Sequence, residues 1–243
     1  MSNSDHAFGL ANVKNLLLRA LTQDSLNNLS PFLERVDLPL KTIVLRSESP
    51  VDFVYFVESG TVSMISTLED GAEIEVGMVG FEGFVGVSVL FGAPTSPLEG
   101  LVQVGGTALR LSAMAFRNAL TDIPGLLSLL LRYLDGFHVQ VSQSATCNGH
   151  HQIEQRLARW ILMTHDRVEG DRFLMTQQFM SHMLGVQRPG VTLALGVLQR
   201  AGLVRHEKGT MEILDRAGLE AASCECHERV QHRFEWLMGS GLH

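Results

Sequence analysis

Apolar positions recur at helical spacing at both ends of this chain and at strand spacing in its middle. Over residues 10–36, Val13, Leu16, Leu17, Leu18 and Leu21 form a stripe continued by Leu26, Leu29 and Leu33, which predicts helix. From Leu38 to about Leu111 the period shortens. TIVLRS, DFVYFVES, TVSMIST, EIEVGMV and TALRLSA are short, β-branched and partly alternating. Ser59-Gly60, Asp70-Gly71, Gly80, Gly83 and Gly105-Gly106 read as the turns between them, and Asp70-Gly71 is a strong hairpin signal because both positions accept φ > 0. Many short strands at this spacing predict a β-roll, a cupin-like sandwich. Strand character stops near Ser112, and a long helix is expected from Pro124 to about Thr146. Its apolar residues Leu127, Leu130, Leu134, Phe137 and Val141 recur every three or four positions. That seam suits a coiled-coil-like contact with a second copy, and it equally suits packing on its own domain.

A second helical pattern is the most informative stretch, TQQFMSHMLGVQRPGVTLALGVLQRAGL from Thr176 to Leu203. Two short amphipathic helices flank Gly185, which supplies the positive φ that a tight turn requires. Ser181 is the small residue where the helices cross. Met180, Leu184, Val186, Val191, Ala194 and Leu195 form the expected buried set, and Thr176 is placed to cap the first helix. Upstream, Asn148-Gly149 reads as a break before a helix starting near Gln152. Downstream, LVRHEKGTMEILD reads as two strands about a Lys208-Gly209 turn, the profile of a wing. The fold class is therefore α+β: an N-terminal β-roll with flanking helices, a long dimerisation helix and a C-terminal winged helix-turn-helix. The expected divisions are 12–115 for the roll, 116–148 for the long helix, 149–223 for the winged helix and 224–243 for a C-terminal tail.

Charge changes the picture only when it is located. Net charge is −7, which alone disfavours a nucleic-acid partner. Residues 1–149 carry 8 Lys+Arg against 15 Asp+Glu, whereas residues 150–243 carry 11 of each. Within 172–210, Arg172, Arg188, Arg200, Arg205 and Lys208 face only Glu207, so a locally basic surface can collect phosphates. No apolar run is long enough to span a bilayer, and MSNSDHAFGL lacks the basic-then-apolar order of a secretory signal. Three cysteines, Cys147, Cys224 and Cys226, are too few for a disulfide framework, and a reducing cytoplasm is the expected location.

A β-roll, then a long helix, then a winged helix-turn-helix resembles the Crp/Fnr family of bacterial transcription regulators over roughly residues 15–222. The resemblance is carried by VYFVESG (54–60), the hairpin at 70–71, VGFEGFVG (79–86), the long helix, MLGVQRPGVTLALGVLQRAGLV (183–204) and ILDRAGLEAAS (213–223). It implies a homodimer that binds double-stranded DNA through the second helix of the motif and senses an effector in the roll, with RNA polymerase as a further partner and no membrane association.

Departures from the family pattern bear on mechanism. Cyclic-nucleotide binders hold the phosphate with a Gly-Glu pair followed after a short loop by Arg-Ser. Here the Gly is Gly86, the Glu position is Val87, and the Arg and Ser positions fall at about Pro97 and Leu98. Residues 84–109 contain no Arg or Lys, so a charge-assisted phosphate contact is lacking whatever the register. The adenine-reading hydroxyl pair of cyclic-AMP receptors corresponds to Val141 and Ser142, of which one is kept. The effector pocket, if there is one, is expected around Gly86, Val87, Val141 and Ser142, and cyclic AMP is not the expected ligand. The first cysteine is Cys147, which argues against the iron–sulfur cluster that relatives build mostly near the N-terminus. Cys224-Glu225-Cys226-His227 has soft-metal ligand types but no evident second half, and His150, His151 and Glu154 can supply part of a metal site on a helix but read more simply as a polar helix start, so no metal is assigned.

On the resemblance, Gln187 to Arg200 enters the major groove. The family commonly shows Ser-Arg-Glu-Thr-Val where this chain has Gln187-Arg188-Pro189-Gly190-Val191. Arg188 keeps the guanine-reading Arg and Gln187 can pair with adenine, while the base-reading Glu has become Pro189, tolerated in a first helical turn. Gly190 and Leu193 leave the surface poor in polar groups, with Thr192 between them. Thr176, Gln177, Arg200, Arg205 and Lys208 are the expected phosphate contacts. The function expected is a sequence-specific, homodimeric transcription regulator whose roll senses something other than a cyclic nucleotide, or nothing. The alternative is a protein-interaction module with a degenerate reading helix. No nucleophile–base pair, metal set or phosphate loop indicates an enzyme.

Overall fold

The structure, a computed structural model, describes residues 13–238. The chain divides into two compact units, one built from the N-terminal segment up to Val62 together with Val79–Asp135, the other from Ser63–Met78 together with the chain from Gly136 onward.

The first unit opens with helices α1 (Leu16–Arg19) and α2 (Gln23–Leu29), capped by Asn15 and Thr22. A 3₁₀ turn at Ser30–Phe32 ends the helical stretch, and the strand β1 (Glu34–Leu38) already occupies residues expected to be helical. Then come β2 (Ile43–Leu45), β3 (Phe53–Thr67), β4 (Glu73–Val79), β5 (Phe84–Val85), the short helix α3 (Val87–Leu90), β6 (Glu99–Ser112) and α4 (Ala113–Asp122), with the end of β3 from Ser63 and β4 up to Met78 counted in the second unit. The sheet runs β1-β6-β3-β4, with β2 on β6 and β5 on β3. Its core holds a ring cluster of Phe56, Phe84, Phe116 and Tyr133, with centroids 5.4–6.4 Å apart along the contacts. Buried Asn15 ties the entry helix to the sheet. Its Oδ1 accepts from the Leu17 and Leu18 amides, and its Nδ2 donates to the carbonyls of Val57 and Gly83 at 2.8 Å.

Two expected turns are not turns. Ser59-Gly60 and Gly105-Gly106 lie inside β3 and β6, which run unbroken for 15 and 14 residues. A Cβ on Gly60 would collide with the carbonyls of Val104 and Gly105, and one on Gly106 with the carbonyl of Ser59. The glycines serve the close approach of two backbones, a contact distant in sequence that looks locally like turn chemistry. Asp70-Gly71 is the hairpin turn as expected, with Gly71 at φ 82° and the Ala72 amide donating to Asp70 Oδ1 at 2.9 Å.

The long helix α5 (Leu126–His150) runs straight through Asn148-Gly149, and the helix before it, α4, is separate from it. The boundary drawn at 148/149 thus falls inside a helix, and the compact units part at 135/136 instead. Gly149 is exposed, and among the described residues nothing lies where its Cβ would be, so its surroundings do not require a glycine and the helix continues through it. Leu130 of the expected seam is fully buried within the first unit and offers nothing to a second chain. The exposed apolar positions are Leu127 at 44% and Leu131 at 50%, followed by the half-buried Leu134 and Val141.

The second unit combines the hairpin tip with α6 (Ile153–His165), β7 (Arg172–Leu174), α7 (Gln177–Leu184), α8 (Arg188–Arg200), β8 (Val204–Glu207), β9 (Thr210–Ile213), α9 (Arg216–Ala222) and α10 (Cys226–Met238). The small sheet is ordered β7-β9-β8. Trp160 of α6 is buried and donates to Glu75 of the hairpin at 2.8 Å. Burial pushes the Glu75 carboxyl up to about 7, against the opposing hydrogen bonds of Ser63 and Trp160 and the charges of Arg159 and Arg167. The segment expected to be a tail carries α10, because Cys226, Val230, Phe234 and Leu237 make a buried stripe. Phe234 lies over Gly136 of α5, where a Cβ would come within 2.8 Å of its ring.

Candidate nucleic-acid interface

The helix-turn-helix is built by local signals that act where the sequence places them. Thr176 caps α7, its Oγ1 accepting from the Phe179 amide at 3.1 Å. Gly185 ends the helix at φ 61°, and its amide donates to the His182 carbonyl at 3.1 Å. Ser181 is buried at the crossing, as are Met180, Leu184, Val191, Ala194 and Leu195, whereas Val186 is only half-buried. It sits in the turn, after the point where the helical period ends.

The helix α8 starts at Arg188, with Gln187 as its N-cap in extended backbone and Pro189 in the first turn. Arg188, Thr192 and Leu193 are exposed on its N-terminal part, Leu193 at 72%. Thr192 Oγ1 donates to Gln177 Oε1 at 2.9 Å, so the first residue of α7 is pinned against the outer face of α8. Gly190 has a packing reason: a Cβ there would lie 3.1 Å from Cδ1 of Ile153, so its absence lets α8 approach α6.

The wing joins the same surface. Lys208 and Gly209 both take positive φ, 51° and 78°, the pair of conformations a two-residue hairpin turn demands. The Met175 amide donates to the Gly209 carbonyl at 2.7 Å, which brings the wing turn beside Thr176. Thr176, Gln177, Thr192 and the Lys208-Gly209 turn are thus gathered at one edge. Arg200 is exposed at the far end of α8, and Arg172 on β7. Arg205 is already engaged, its Nη1 2.9 Å from Glu212 Oε2 on the neighbouring strand. Its charge is therefore partly met before any phosphate arrives.

Three positioning residues escaped the sequence reading. Gln199 Oε1 accepts from the His206 amide at 2.9 Å, and the His206 ring lies 2.7 Å from the Met175 carbonyl, fixing the wing to α8 and to the start of α7. Arg156 on α6 donates to the Leu184 carbonyl, capping the C-terminus of α7, and to Asn148 Oδ1 at 3.1 Å. Burial holds the Arg156 guanidinium below its usual pKa. No local pattern marks any of these, since each partner is remote in sequence or on another element.

In the roll, Gly86 takes φ 106° just before α3, and Val87 is half-buried. The loop after α3 is tied down by protein atoms. Ser96 Oγ donates to the Leu98 carbonyl at 3.0 Å and accepts from the Leu98 amide at 3.1 Å. Ser47 Oγ donates to the Pro97 carbonyl at 3.1 Å, and the Glu48 amide to the Ser96 carbonyl at 2.7 Å. Val141 and Ser142 lie on α5 in the second unit, half-buried and exposed respectively.

Among the described residues no helix is long and apolar enough to cross a membrane. The Crp-like helix-turn-helix domain family matches residues 155–222, and the cyclic nucleotide-binding domain family matches residues 35–122. No curated protein sequence matches the chain. Among solved structures it is similar to the c-di-GMP-responsive global regulator CLP of Xanthomonas campestris, with 20% identity over 79% of this chain and 99% of that one and a TM-score of 0.63. It is similar to FixK2 of Bradyrhizobium japonicum, with 15% identity over 79% and 98% and a TM-score of 0.64. A Crp/Fnr-family regulator of Eubacterium rectale aligns with 16% identity over 87% and 97% and a TM-score of 0.67. At such identities the structures speak for the fold. With both domain families present in the order that the fold requires, the chain belongs to the Crp/Fnr family of transcription regulators.

Proposed function

We propose that the chain acts as a homodimeric, sequence-specific DNA-binding regulator whose β-roll responds to a ligand other than a cyclic nucleotide, or to none. The observation that carries this reading is the surface shared by α7, α8 and the wing. Arg188 and Thr192 stand exposed on the N-terminal part of α8, and the capping residue Thr176, Gln177 and the Lys208-Gly209 turn flank them. Arg188 would read a guanine, and Leu193 would meet thymine methyl groups. Gln187, Thr176, Gln177, Arg200 and Lys208 would fix the register through phosphates, with Arg205 contributing less because Glu212 holds it.

Two observations support a roll without the family's usual ligand. No cation lies between residues 84 and 109, and the Leu98 amide that could face an anion is bonded to Ser96. The dimer seam is proposed along Leu127, Leu131, Leu134, His138 and Val141, whose spacing of four and three residues is that of a coiled-coil stripe.

Selection of bound duplexes from a random library at physiological salt tests the reading. An enriched palindrome with half-sites about one helical turn apart is expected. Leu134→Glu is expected to sediment as a monomer and lose the enriched site, and a variant that stays dimeric would move the interface elsewhere. A second reading, a protein-docking module, draws on the exposed Leu193 and Val197 of α8. It gains if no sequence is enriched and Arg188→Ala leaves both affinity and salt dependence of DNA binding unchanged.

A further inference from the structure

The second unit holds a cluster of metal-ligand side chains that DNA binding does not use. Cys147 stands on the last turn of α5. His151 follows one turn later, its amide donating to the Cys147 carbonyl at 3.0 Å, so the two side chains share one helical face. Cys224 and Cys226 come from the connection between α9 and α10 and its first helical residue. The three sulfurs and a ring nitrogen of His151 all lie within 4.8 Å of one another. Cys147 Sγ is 3.5 Å from Cys224 Sγ, and Cys226 Sγ is 3.6 Å from His151 Nδ1. The Cys-x-Cys pair that lacked a second half in the sequence has one in the fold.

We infer that Cys147, His151, Cys224 and Cys226 form a structural zinc site. A tetrahedral zinc with bonds of about 2.3 Å to sulfur and about 2.0 Å to nitrogen sets its ligand atoms roughly 3.5–3.8 Å apart, close to the separations present. Four protein ligands leave no open position, which is the arrangement of a structural rather than a catalytic ion. An iron–sulfur cluster distributes its thiolates over several irons, whereas these four groups crowd around one point.

Two neighbours fit the assignment. The other ring nitrogen of His151, Nε2, lies 3.3 Å from Glu225 Oε2. A proton held there leaves Nδ1 with its lone pair toward the sulfurs, the carboxylate–histidine–metal relay that orients zinc ligands. Arg159 supplies the charge argument. Its guanidinium is buried, Nη2 donates to Ser144 Oγ at 3.1 Å, and Nε and Nη1 have no hydrogen-bond partner among the described residues. Its field acts on Cys147 and Cys226. A buried cation with unmet donors is costly unless an anion stands nearby. Zinc bound by three thiolates and a neutral imidazole carries a net charge of −1, which would add to the Glu75 carboxyl as a complement to Arg159.

Binding releases the protons of the three thiols and forms three Zn–S bonds and one Zn–N bond, with no change of oxidation state. His227, adjacent to Cys226, is not a ligand: its Nε2 is 2.8 Å from Asp166 Oδ2. The whole winged helix, residues 152–223, lies between the two ligand pairs, so the ion clamps the ends of the module that carries α7, α8 and the wing.

The test is metal analysis of the full-length protein purified under reducing conditions with zinc in the medium. About one zinc per chain is expected. Cys147→Ser and Cys224→Ser are expected to lose it, and His151→Cys to retain it, which mere packing at this position would not predict. Glu225→Gln is expected to weaken zinc binding roughly 10–100-fold. Cobalt titrated into the chelator-stripped wild type is expected to give thiolate charge-transfer bands and the visible bands of a tetrahedral ion, a readout that needs no variant to fold. A wild-type chain that carries no stoichiometric zinc and shows no cobalt–thiolate spectrum overturns the inference. So does zinc that survives both serine substitutions, or a Cys147–Cys224 disulfide in the reduced preparation.

Discussion

The loop after α3 and the turn after α7 each follow a short helix. They use their polar groups in opposite ways. In the roll, Ser47, Ser96 and the amides of Glu48 and Leu98 are bonded within the protein. At the helix-turn-helix, Thr176 and Gly185 satisfy the helix ends, and Arg188, Gln187 and Lys208 project into solvent. The two regions differ less in backbone than in where their hydrogen bonds point. The roll that matches the cyclic nucleotide-binding domain family carries no Arg or Lys over residues 84–109 and bonds the polar groups of its loop internally.

This contrast can be broken or sharpened, beginning with the largest effect. If the roll is a rigid, self-satisfied body, then Gly106→Ala, which drives a Cβ into the Ser59 carbonyl, should cost more than about 4 kcal/mol and be seen as collapse of the thermal transition. An unchanged transition would mean the two strands are not locked together. Glu75→Gln probes the polar core of the second unit. The folded carboxyl titrates near 7 rather than 4.5, so the folded state holds the extra proton between those values, and stability falls as pH rises through that window. The loss is about 3 kcal/mol across it, and Glu75→Gln should remove that slope in urea melts between pH 4.5 and 8. A wild type whose stability rises over the same range would refute the burial argument.

Arg188→Ala should relax preference at one position of each half-site by about 1–3 kcal/mol, measured as competition between cognate and substituted duplexes. Equal loss on every sequence would reduce Arg188 to a phosphate contact and blunt the contrast with the roll. The smallest effect is an expected zero. Cyclic AMP at a concentration that would raise stability by about 2.7 kcal/mol at a hundredfold excess over Kd should leave the Tm unchanged. A measurable rise would show that the roll binds the nucleotide in a pose the family's residues do not describe.

Features governed by neighbours in the chain were legible without coordinates. Thr176 as a cap, Gly185 at positive φ, Lys208-Gly209 as a turn, and Asp70-Gly71 at the hairpin all depend on a few consecutive residues. The same local reading misjudged Gly60 and Gly106, because a glycine permitting a close strand approach carries the same letter as one making a turn. It also assigned Leu130 to a dimer seam, since periodicity shows which residues share a stripe but not which side of the helix is already covered.

By itself the sequence determined the order of modules, the helix-turn-helix and the absence of Arg and Lys from residues 84–109. Composition and short-range geometry suffice for all of these. Only the tertiary structure decided that Arg156 caps α7, that the tail is a helix packed at Gly136, and that Cys147 and His151 meet Cys224 and Cys226. Each of those contacts joins residues separated by about thirty to one hundred positions. Such pairings are fixed by how helices stack around a buried core, and no local pattern along the chain records them.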